Sequence, residues 1–411
     1  LCIYIYMENA INEDFSKQTA INGSLDNSVK LRTHITLPYR KYLISEVVNI
    51  YNAGGIKKIN RDSVDSATCL LANLIKIPVN SSLAISLSKE TYSKMPKRYN
   101  PSRITATRAS KFLKGLEELG YGDLYIGFQF KNRGYVTRFV PNEKLKRLFS
   151  GLSLKKRDVD YHPNFDTVVL KNRSKKLIDY KDTKKTRGMR NFITKYNKLL
   201  SEQLFLVNGE EFTPKLRRIF NNGSFGFGGR FYGDYQNIKS NERGGITING
   251  EETVELDYKG MHIQMLYLQR GLSLFKNDVY TIKGYEEHRD VFKTILQVVI
   301  NSPNLLTARR GAIRHLRNLG LGKRSQEFVD AFANLHKKIN EDFFSGAGLK
   351  LQNKDSEMAE YILKKCNYAK VPCLPVHDSF IVTKKNRAFL KKLMNEASEK
   401  FLGGKLGIDQ K

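Results

Sequence analysis

The fold is decided by the stretch LPVHDSFIV, residues 374–382, in which a polar pair separates two apolar runs. This pattern predicts two short strands joined by a tight turn, with His377 and Asp378 at the tip of the hairpin. A carboxylate in that position is well placed to hold a metal ion. A surface turn without chemistry is the alternative, because Asp and Ser are ordinary turn residues.

A second aspartate lies in a matching context in ITINGEETVELDY, residues 246–258. Asn-Gly between alternating apolar and polar runs is typical of a hairpin, because both turn positions need a positive φ. The pattern predicts a strand from about Glu251 to Leu256 that ends at Asp257, followed by a helix over residues 260–267. If the two strand ends are adjacent, Asp257 and Asp378 can hold two divalent ions for phosphoryl transfer, and oxygen ligands favour Mg²⁺.

The stretch HRDVFKTILQVVIN, residues 288–301, lies between these two aspartates and predicts an amphipathic helix. Arg289 and Lys293 are four residues apart, so they project from the same face of that helix. Such a face suits a nucleoside triphosphate. The Arg guanidinium can donate hydrogen bonds to two phosphate oxygens, and the Lys ammonium acts as a point charge. A solvated basic ridge is the alternative interpretation.

In this order, the three stretches resemble motifs A, B and C of the family A DNA polymerases and of the single-subunit phage and mitochondrial RNA polymerases. The resemblance covers roughly the last 190 residues, and its strength lies in the order and spacing of the motifs. It implies an α+β fold with a polymerase palm and helical fingers. It also implies a nucleotidyltransferase that uses two Mg²⁺ ions to join nucleoside triphosphates to the primer 3′-hydroxyl of a DNA template-primer.

The resemblance assigns roles to individual residues. Asp257 and Asp378 are implied as the catalytic, metal-binding pair. The residues implied to bind the nucleotide are Tyr258, His262, Arg289 and Lys293. His377 is implied to contact the primer end.

Two further positions are implied to contact nucleic acid. Gln352, in LQNKDSEMA at residues 351–359, stands about where the DNA polymerases have a Gln-led helix start that touches the minor groove. Arg230, in FNNGSFGFGGRFYG at residues 220–233, is similar to the Gly-Arg pair upstream of motif A in single-subunit RNA polymerases. An aromatic-lined turn without a ligand is the alternative for the glycine-rich stretch.

The chain departs from the family at two positions. His262 stands where the DNA polymerases have a Glu that discriminates against ribose, and Asn301-Ser302 stands where motif B usually has an aromatic residue followed by Gly. Both positions belong to sugar selection and base-pair checking in the family. The choice between dNTP and NTP therefore stays open, with an RNA polymerase or primase as the alternative.

Composition favours a polyanionic partner. Seventy Lys and Arg residues against 41 Asp and Glu leave a net charge of +29, which points to nucleic acid. A basic membrane-surface protein is the competing class, but no long apolar run or amphipathic anchor stands out. The four cysteines show no Cys-x-x-Cys spacing, and a reducing cytoplasm fits their use.

The front half predicts a DNA-binding part. An amphipathic helix at residues 107–120 precedes two strand-like runs, at residues 123–130 and 134–140, and Arg133 lies in the basic turn between them. This looks like the recognition helix and wing of a winged helix, as in many replication initiators, and the likeness implies that Arg133 contacts nucleic acid. A small α+β domain with a solvated hairpin is the alternative.

We therefore expect a mobile arm at 1–35, a helical and winged-helix-like domain at 36–150 and the polymerase domain at 191–411. Between them, residues 151–190 predict a linker, because Lys155 to Arg190 holds twelve Lys and Arg against five Asp. Two other functional classes stay open. One is a non-catalytic replication initiator, and the other is a metal-dependent nuclease.

Overall fold

Buried apolar side chains form two cores, one on each side of a boundary between Asp166 and Thr167. The computed structural model describes residues 28–130 and 133–411. Within these ranges, no helix has the length and apolar character needed to cross a membrane.

The first unit combines helices with a small sheet. Its described helices are α1 (Lys41–Ala53), α2 (Arg61–Lys76), α3 (Lys89–Ser93), α4 (Ala106–Glu118) and α5 (Glu143–Gly151). Its described strands are β1 (Ser28–Lys30), β2 (Ile35–Thr36), β3 (Ser82–Ile85), β4 (Gly122–Tyr125), β5 (Gln129–Phe130), β6 (Arg133–Gly134), β7 (Thr137–Pro141) and β8 (Asp160–Tyr161). The four-stranded sheet has the order β1-β3-β7-β4, and the pairs β2–β8 and β5–β6 stand apart from it.

The helix and hairpin predicted in the front half are present. Thr105 caps α4 by accepting a hydrogen bond from the Arg108 backbone nitrogen at 3.2 Å, and Gly120, at φ +70°, follows the helix. The antiparallel strands β4 and β7 come next, and β5 and β6 pair within their connection. Residues 131–132 and the side chain of Arg133 lie outside the described part, so the predicted contact of Arg133 stays a prediction.

Two predicted boundaries are wrong. The predicted arm at 1–35 contains β1, which pairs in parallel with β3, and the start of β2, while residues 1–27 lie outside the described residues. The predicted linker at 151–190 contains β8, a further strand at Val168–Leu170 and the beginning of a long helix at Lys184. This segment carries many basic side chains and also contains a fully buried apolar strand. Its net charge alone was therefore not evidence for a linker.

The second unit is larger. Its described helices are α6 (Lys184–Ser201), α7 (Ser240–Arg243), α8 (Met261–Gln269), α9 (Arg289–Asn301), α10 (Leu305–Arg317), α11 (Ser325–Leu335), α12 (Gly348–Tyr368) and α13 (Arg387–Leu402). Its described strands are β9 (Val168–Leu170), β10 (Phe205–Val207), β11 (Glu210–Phe212), β12 (Arg217–Asn221), β13 (Ser224–Tyr232), β14 (Ile246–Ile248), β15 (Glu251–Tyr258), β16 (Leu374–Val376), β17 (Ser379–Thr383) and β18 (Ile408–Gln410).

Strand β15 is the centre of the main sheet, whose order is β11-β10-β14-β15-β17-β16. On one edge β15 pairs with β14 and then with β18, and on the other edge it pairs antiparallel with β17. Asn249 and Gly250, at φ +53° and +80°, form the predicted turn before β15. Gly260, at φ +52°, lets the chain turn from this strand directly into α8.

The glycine-rich stretch forms a hairpin that packs on α12. Strands β12 and β13 are antiparallel, with register shifts between Ile219 and Asn221. Gly229 takes a φ of +89° at this irregularity. Asn353 of α12 donates hydrogen bonds to the carbonyl oxygens of Phe225 and Gly228 at 3.1 and 3.0 Å. The hairpin is therefore fixed to the helix by its own backbone.

We expect Gly229→Ala to lower the thermal unfolding midpoint, with a loss of about 1–3 kcal/mol in stability. A Cβ there would lie 2.4 Å from Phe220 Cε1 and 3.0 Å from Ser356 Oγ, on a backbone with positive φ. Gly226→Ala is the control, because its Cβ would lie 3.6 Å from the nearest atom, Ser224 Oγ. Equal midpoints for the two variants, measured by circular dichroism, would contradict the close packing.

Candidate active site

The register of the sheet brings the two predicted aspartates together. Asp257 lies opposite Ser379 in the β15–β17 pair, next to Asp378 in the turn between β16 and β17. The backbone nitrogen of Tyr258 donates to the Asp378 carbonyl oxygen at 3.3 Å. The structure thus confirms both predicted hairpins and places their acidic residues at adjacent strand ends.

His377 occupies the first position of the two-residue turn and has a φ of +59°. This region is unfavourable for residues other than glycine and persists only where the surroundings impose it. The ring of Tyr232 packs edge-on at 6.0 Å between centroids. Burial, with the nearby charge of Arg230 adding to it, lowers the pKa of His377.

Asp257 has a largely buried carboxylate whose negative charge is only partly neutralised by its neighbours. Its side chain is 22% exposed, and Lys411 Nζ lies 3.2 Å from Oδ2. Oδ1 is buried and has no hydrogen-bond partner among the described residues. Burial, followed by the negative charge of Asp378, raises the pKa of Asp257 to about 6. The site is short of positive charge.

This carboxylate pair fits a divalent cation that receives its remaining ligands from elsewhere. Within the described ranges, no group of three or more His, Cys, Asp or Glu side chains is arranged to hold a metal ion. Mg²⁺ is commonly bound through one or two carboxylates, with water and substrate phosphates as the other ligands. Asp257 and Asp378 match the two carboxylates of that kind of site, and Oδ1 of Asp257 has no partner among the described residues.

Glu255 is a neighbour that the sequence analysis missed. It lies two residues before Asp257 on the same face of β15 and accepts hydrogen bonds from Arg243 Nε at 3.0 Å and Ser379 Oγ at 2.5 Å. Burial pushes the pKa of Glu255 upward, but these hydrogen bonds outweigh it and hold the pKa below its usual range. The alternation in Glu-Leu-Asp was the signal that could have identified it.

A buried charged cluster supports the site from beneath. Arg230 Nε donates to both carboxylate oxygens of Asp355, at 3.1 and 2.9 Å, and Nη2 donates to the same carboxylate. His262 Nε2 lies 3.0 Å from Asp355 Oδ2 and 3.2 Å from Arg230 Nη2. The cluster links β13, α8 and α12. Asp355 was not predicted, although it lies three residues after Gln352 in the stretch that resembles the family.

The predicted roles of two residues change with this geometry. The side chain of Arg230 is only 14% exposed, and its guanidinium is hydrogen-bonded to Asp355. Arg230 therefore stabilises the site, and its guanidinium is not available to contact a template. Tyr258 is buried, and its hydroxyl donates to the Met394 carbonyl oxygen at 2.6 Å. Its side chain lies on the opposite face of β15 from Asp257, so its predicted nucleotide contact is wrong.

Arg289 and Lys293 lie on α9 as predicted, and each has an acidic partner. Arg289 Nε and Nη2 donate to the Asp278 carboxylate at 2.7 and 3.0 Å, and its guanidinium lies 5.3 Å from the ring centroid of Tyr280. Lys293 Nζ lies 2.8 Å from Asp290. Asp278 thereby fixes the orientation of Arg289, a role that no sequence signal indicated.

A groove of about 980 Å³ runs along the face of α9 that carries Lys293. Its other cations are Arg310 and Arg314 of α10, and the described lining contains no acidic side chain. Tyr280 also lines it, and burial together with the charge of Asp378 raises the pKa of that tyrosine to about 12. Tyr280 is thus a lining residue of the groove that also experiences the negative charge of Asp378.

Gln352 and Asn301 lie on α12 and α9. Gln352 is half-buried in the second turn of α12, which begins at Gly348 and not at Gln352, and its contact with nucleic acid stays a prediction. Asn301 donates from Nδ2 to the Gln297 carbonyl oxygen at 2.8 Å and lies against the start of α12, where a Cβ on Gly348 would be 2.1 Å from Asn301 Oδ1. Asn301 therefore has a packing role that an aromatic ring could not take without displacing α12.

Comparison with known proteins gives little further information. Neither a family model nor a curated protein matches the chain. Among solved structures, the chain is similar to the polymerase domain of Pol1 from M. smegmatis, in complex with DNA primer-template and dNTP. The TM-score is 0.28 at 12% identity, over 89% of this chain and 71% of that chain. A likeness of this size says nothing of function, so we take the function from the site itself.

We expect Asp355→Asn to destabilise the protein by about 3–5 kcal/mol, because it leaves the buried Arg230 guanidinium without its counter-charge. Asp409→Asn is the control, since Asp409 is 57% exposed in its pair with Lys259, and its loss should change stability by about 0.5 kcal/mol or less. Thermal unfolding followed by circular dichroism measures both. A similar small shift for both variants would contradict a supporting role for the buried cluster.

Proposed function

We propose that the chain is a template-directed nucleotidyltransferase of the DNA polymerase kind. The observation that carries the proposal is the aspartate pair at adjacent strand ends, in which Oδ1 of Asp257 is buried and has no partner among the described residues. The cationic groove along α9 supports it, because one of its lining residues, Tyr280, experiences the charge of Asp378. Such a pair suits two-metal phosphoryl transfer, in which the carboxylates hold the ions and cations bind the phosphates. A basic chain of net charge +29 suits a nucleic-acid substrate.

Each residue has a distinct task in this proposal. Asp257 and Asp378 would hold Mg²⁺, which when bound lowers the pKa of a primer 3′-hydroxyl and neutralises charge on the phosphates. Lys293, on the groove wall, would bind the triphosphate. Arg289 would bind it through the edge of the guanidinium that Asp278 does not occupy. His377, at positive φ in its turn, would contact the primer end.

Primer extension with Mg²⁺ tests the reaction. We expect the parent protein to extend a labelled DNA primer-template, and Asp378→Asn to lower the rate by roughly 10³-fold or more, because several kcal/mol of charge stabilisation are lost. Asp330→Asn is the matched control, since Asp330 lies on the exposed side of α11 and has only a 3.8 Å contact with Arg309.

The same assay separates the alternatives when dNTPs and NTPs are supplied in different reactions, with and without a primer. Extension with NTPs would identify an RNA polymerase, and extension without a primer would identify a primase. Shortened DNA that depends on Asp378 would identify a nuclease. Tight DNA binding with no added nucleotide under any condition would refute the catalytic proposal and leave a replication initiator.

We also propose that the first unit binds duplex DNA through α4 and the β4–β7 hairpin. The element order α2-β3-α3-α4-β4-β7 and the sheet order β3-β7-β4 support this proposal, because a winged helix-turn-helix has its elements in the same order. Outward on α4, four polar side chains recur at helical spacing, namely Thr107, Ser110, Lys111 and Lys114. Ile126, Tyr135 and Val136 are exposed on the hairpin. A polar, basic helix face beside a protruding hairpin suits contact with a DNA groove and its backbone.

Lys114→Ala should weaken binding to a blunt-ended duplex by about two- to tenfold and make the salt dependence shallower by about one unit of slope, since one phosphate contact is lost. Lys391→Ala removes the same charge from the exposed face of α13 in the second unit and should have a smaller effect. Fluorescence anisotropy across a salt series measures both. Parallel salt slopes for the parent and Lys114→Ala would show that α4 does not face the DNA.

A further inference from the structure

Lys411 is the one cation that contacts Asp257 among the described residues. It directly follows β18, and its backbone nitrogen donates to the Glu255 carbonyl oxygen at 3.0 Å. This hydrogen bond extends the pairing of β18 along the edge of β15 that β17 does not occupy. Lys411 Nζ lies 3.2 Å from Asp257 Oδ2 and 3.5 Å from Glu255 Oε1. A single ammonium group is thus shared by two carboxylates of one strand face.

The two carboxylates depend on Lys411 to different degrees. Glu255 also accepts hydrogen bonds from Arg243 and Ser379, which do not involve Lys411. Asp257 has Lys411 alone on Oδ2, while Oδ1 has no partner within the described part of the chain. Removing Lys411 would therefore change the surroundings of Asp257 much more than those of Glu255.

Lys411 is also able to move. Its side chain is 43% exposed, and a lysine is a point charge on a flexible stem whose contact with one carboxylate oxygen is not geometrically fixed. Glu255 lies within reach on the same face, so the ammonium keeps a carboxylate partner when it leaves Asp257. The contact with Asp257 is therefore exchangeable, whereas the Arg230 fork on buried Asp355 is not.

We infer that Lys411 is a resident counter-ion of the aspartate site, which competes with a divalent cation for Asp257 and shifts to Glu255 when the cation binds. The inference rests on the proposed function, since it takes Asp257 as a metal ligand. Lys411 neutralises the carboxylates while no cation is present, and it raises the cation concentration at which the site fills. It acts through Asp257 and is a positioning residue.

Mn²⁺ binding to the full chain, without nucleotide or DNA, tests the inference. The electron paramagnetic resonance signal of free Mn²⁺ gives the affinity directly and does not depend on activity. Lys411→Met keeps the length of the stem and removes the charge, and it should tighten Mn²⁺ binding about fivefold, the size of one partly exposed ion pair. Lys411→Arg should weaken binding relative to the parent, because a guanidinium can fork both oxygens of Asp257.

Lys405→Met is the matched control. Lys405 is exposed and lies 3.2 Å from Glu399, so its loss removes an equal charge from another surface ion pair. Its Mn²⁺ affinity should stay near that of the parent. If Lys411→Met binds Mn²⁺ no more tightly than Lys405→Met does, Lys411 is not a competitor and the inference is overturned.

Asp257→Asn and Asp378→Asn separate this inference from the proposed function. If both variants lose the Mn²⁺ site and Lys411→Met leaves its affinity unchanged, the metal site stands and the role of Lys411 fails. If neither variant changes Mn²⁺ binding, the metal site itself fails, and the inference fails with it. Thermal unfolding of each variant shows that loss of binding is not loss of fold.

Discussion

Repulsion between two carboxylates in low-dielectric surroundings is the constraint on which the rest of the site depends. The antiparallel register of β15 and β17 places Asp257 beside the turn that carries Asp378, and the side chain of Asp257 is largely buried. Like charges so placed are unfavourable unless a cation joins them. The local arrangement meets this need only in part, through Lys411. A site that stores unsatisfied negative charge is suited to capture metal ions together with the phosphates they carry.

The buried cluster of Arg230, Asp355 and His262 has the opposite character, because its charges are matched within it. It joins a strand of one sheet to two helices, so the surroundings of the site are held by regular elements and not by loops. Preorganised sites need this second layer of support, since small displacements of ligands weaken both metal binding and phosphoryl transfer. The matched cluster therefore gives rigidity, whereas the aspartate pair keeps a negative charge that its neighbours only partly match.

Local signals predicted much of this structure. Asn249-Gly250 and His377-Asp378 mark turns whose geometry is set by adjacent residues, and the helical period over residues 289–301 needs no distant partner. Asp355, Asp278 and Lys411 could not be found in this way, because their roles depend on which distant segments pack together. The error at Tyr258 was avoidable, since neighbouring residues on a strand face opposite sides of the sheet. The prediction of a basic linker was wrong for a different reason, because the charge of surface side chains carries no information about a strand buried below them.

The position of β15 in the sheet also determines when the site can form. Its partners β17 and β18 come from the far end of the chain, after the whole of α8 to α12. Contacts between segments so distant in sequence form slowly, because a long loop must close first. During synthesis the hairpin of β14 and β15 is therefore complete long before its second aspartate exists. We therefore expect the charged centre to be completed later in folding than the local hairpin of β14 and β15.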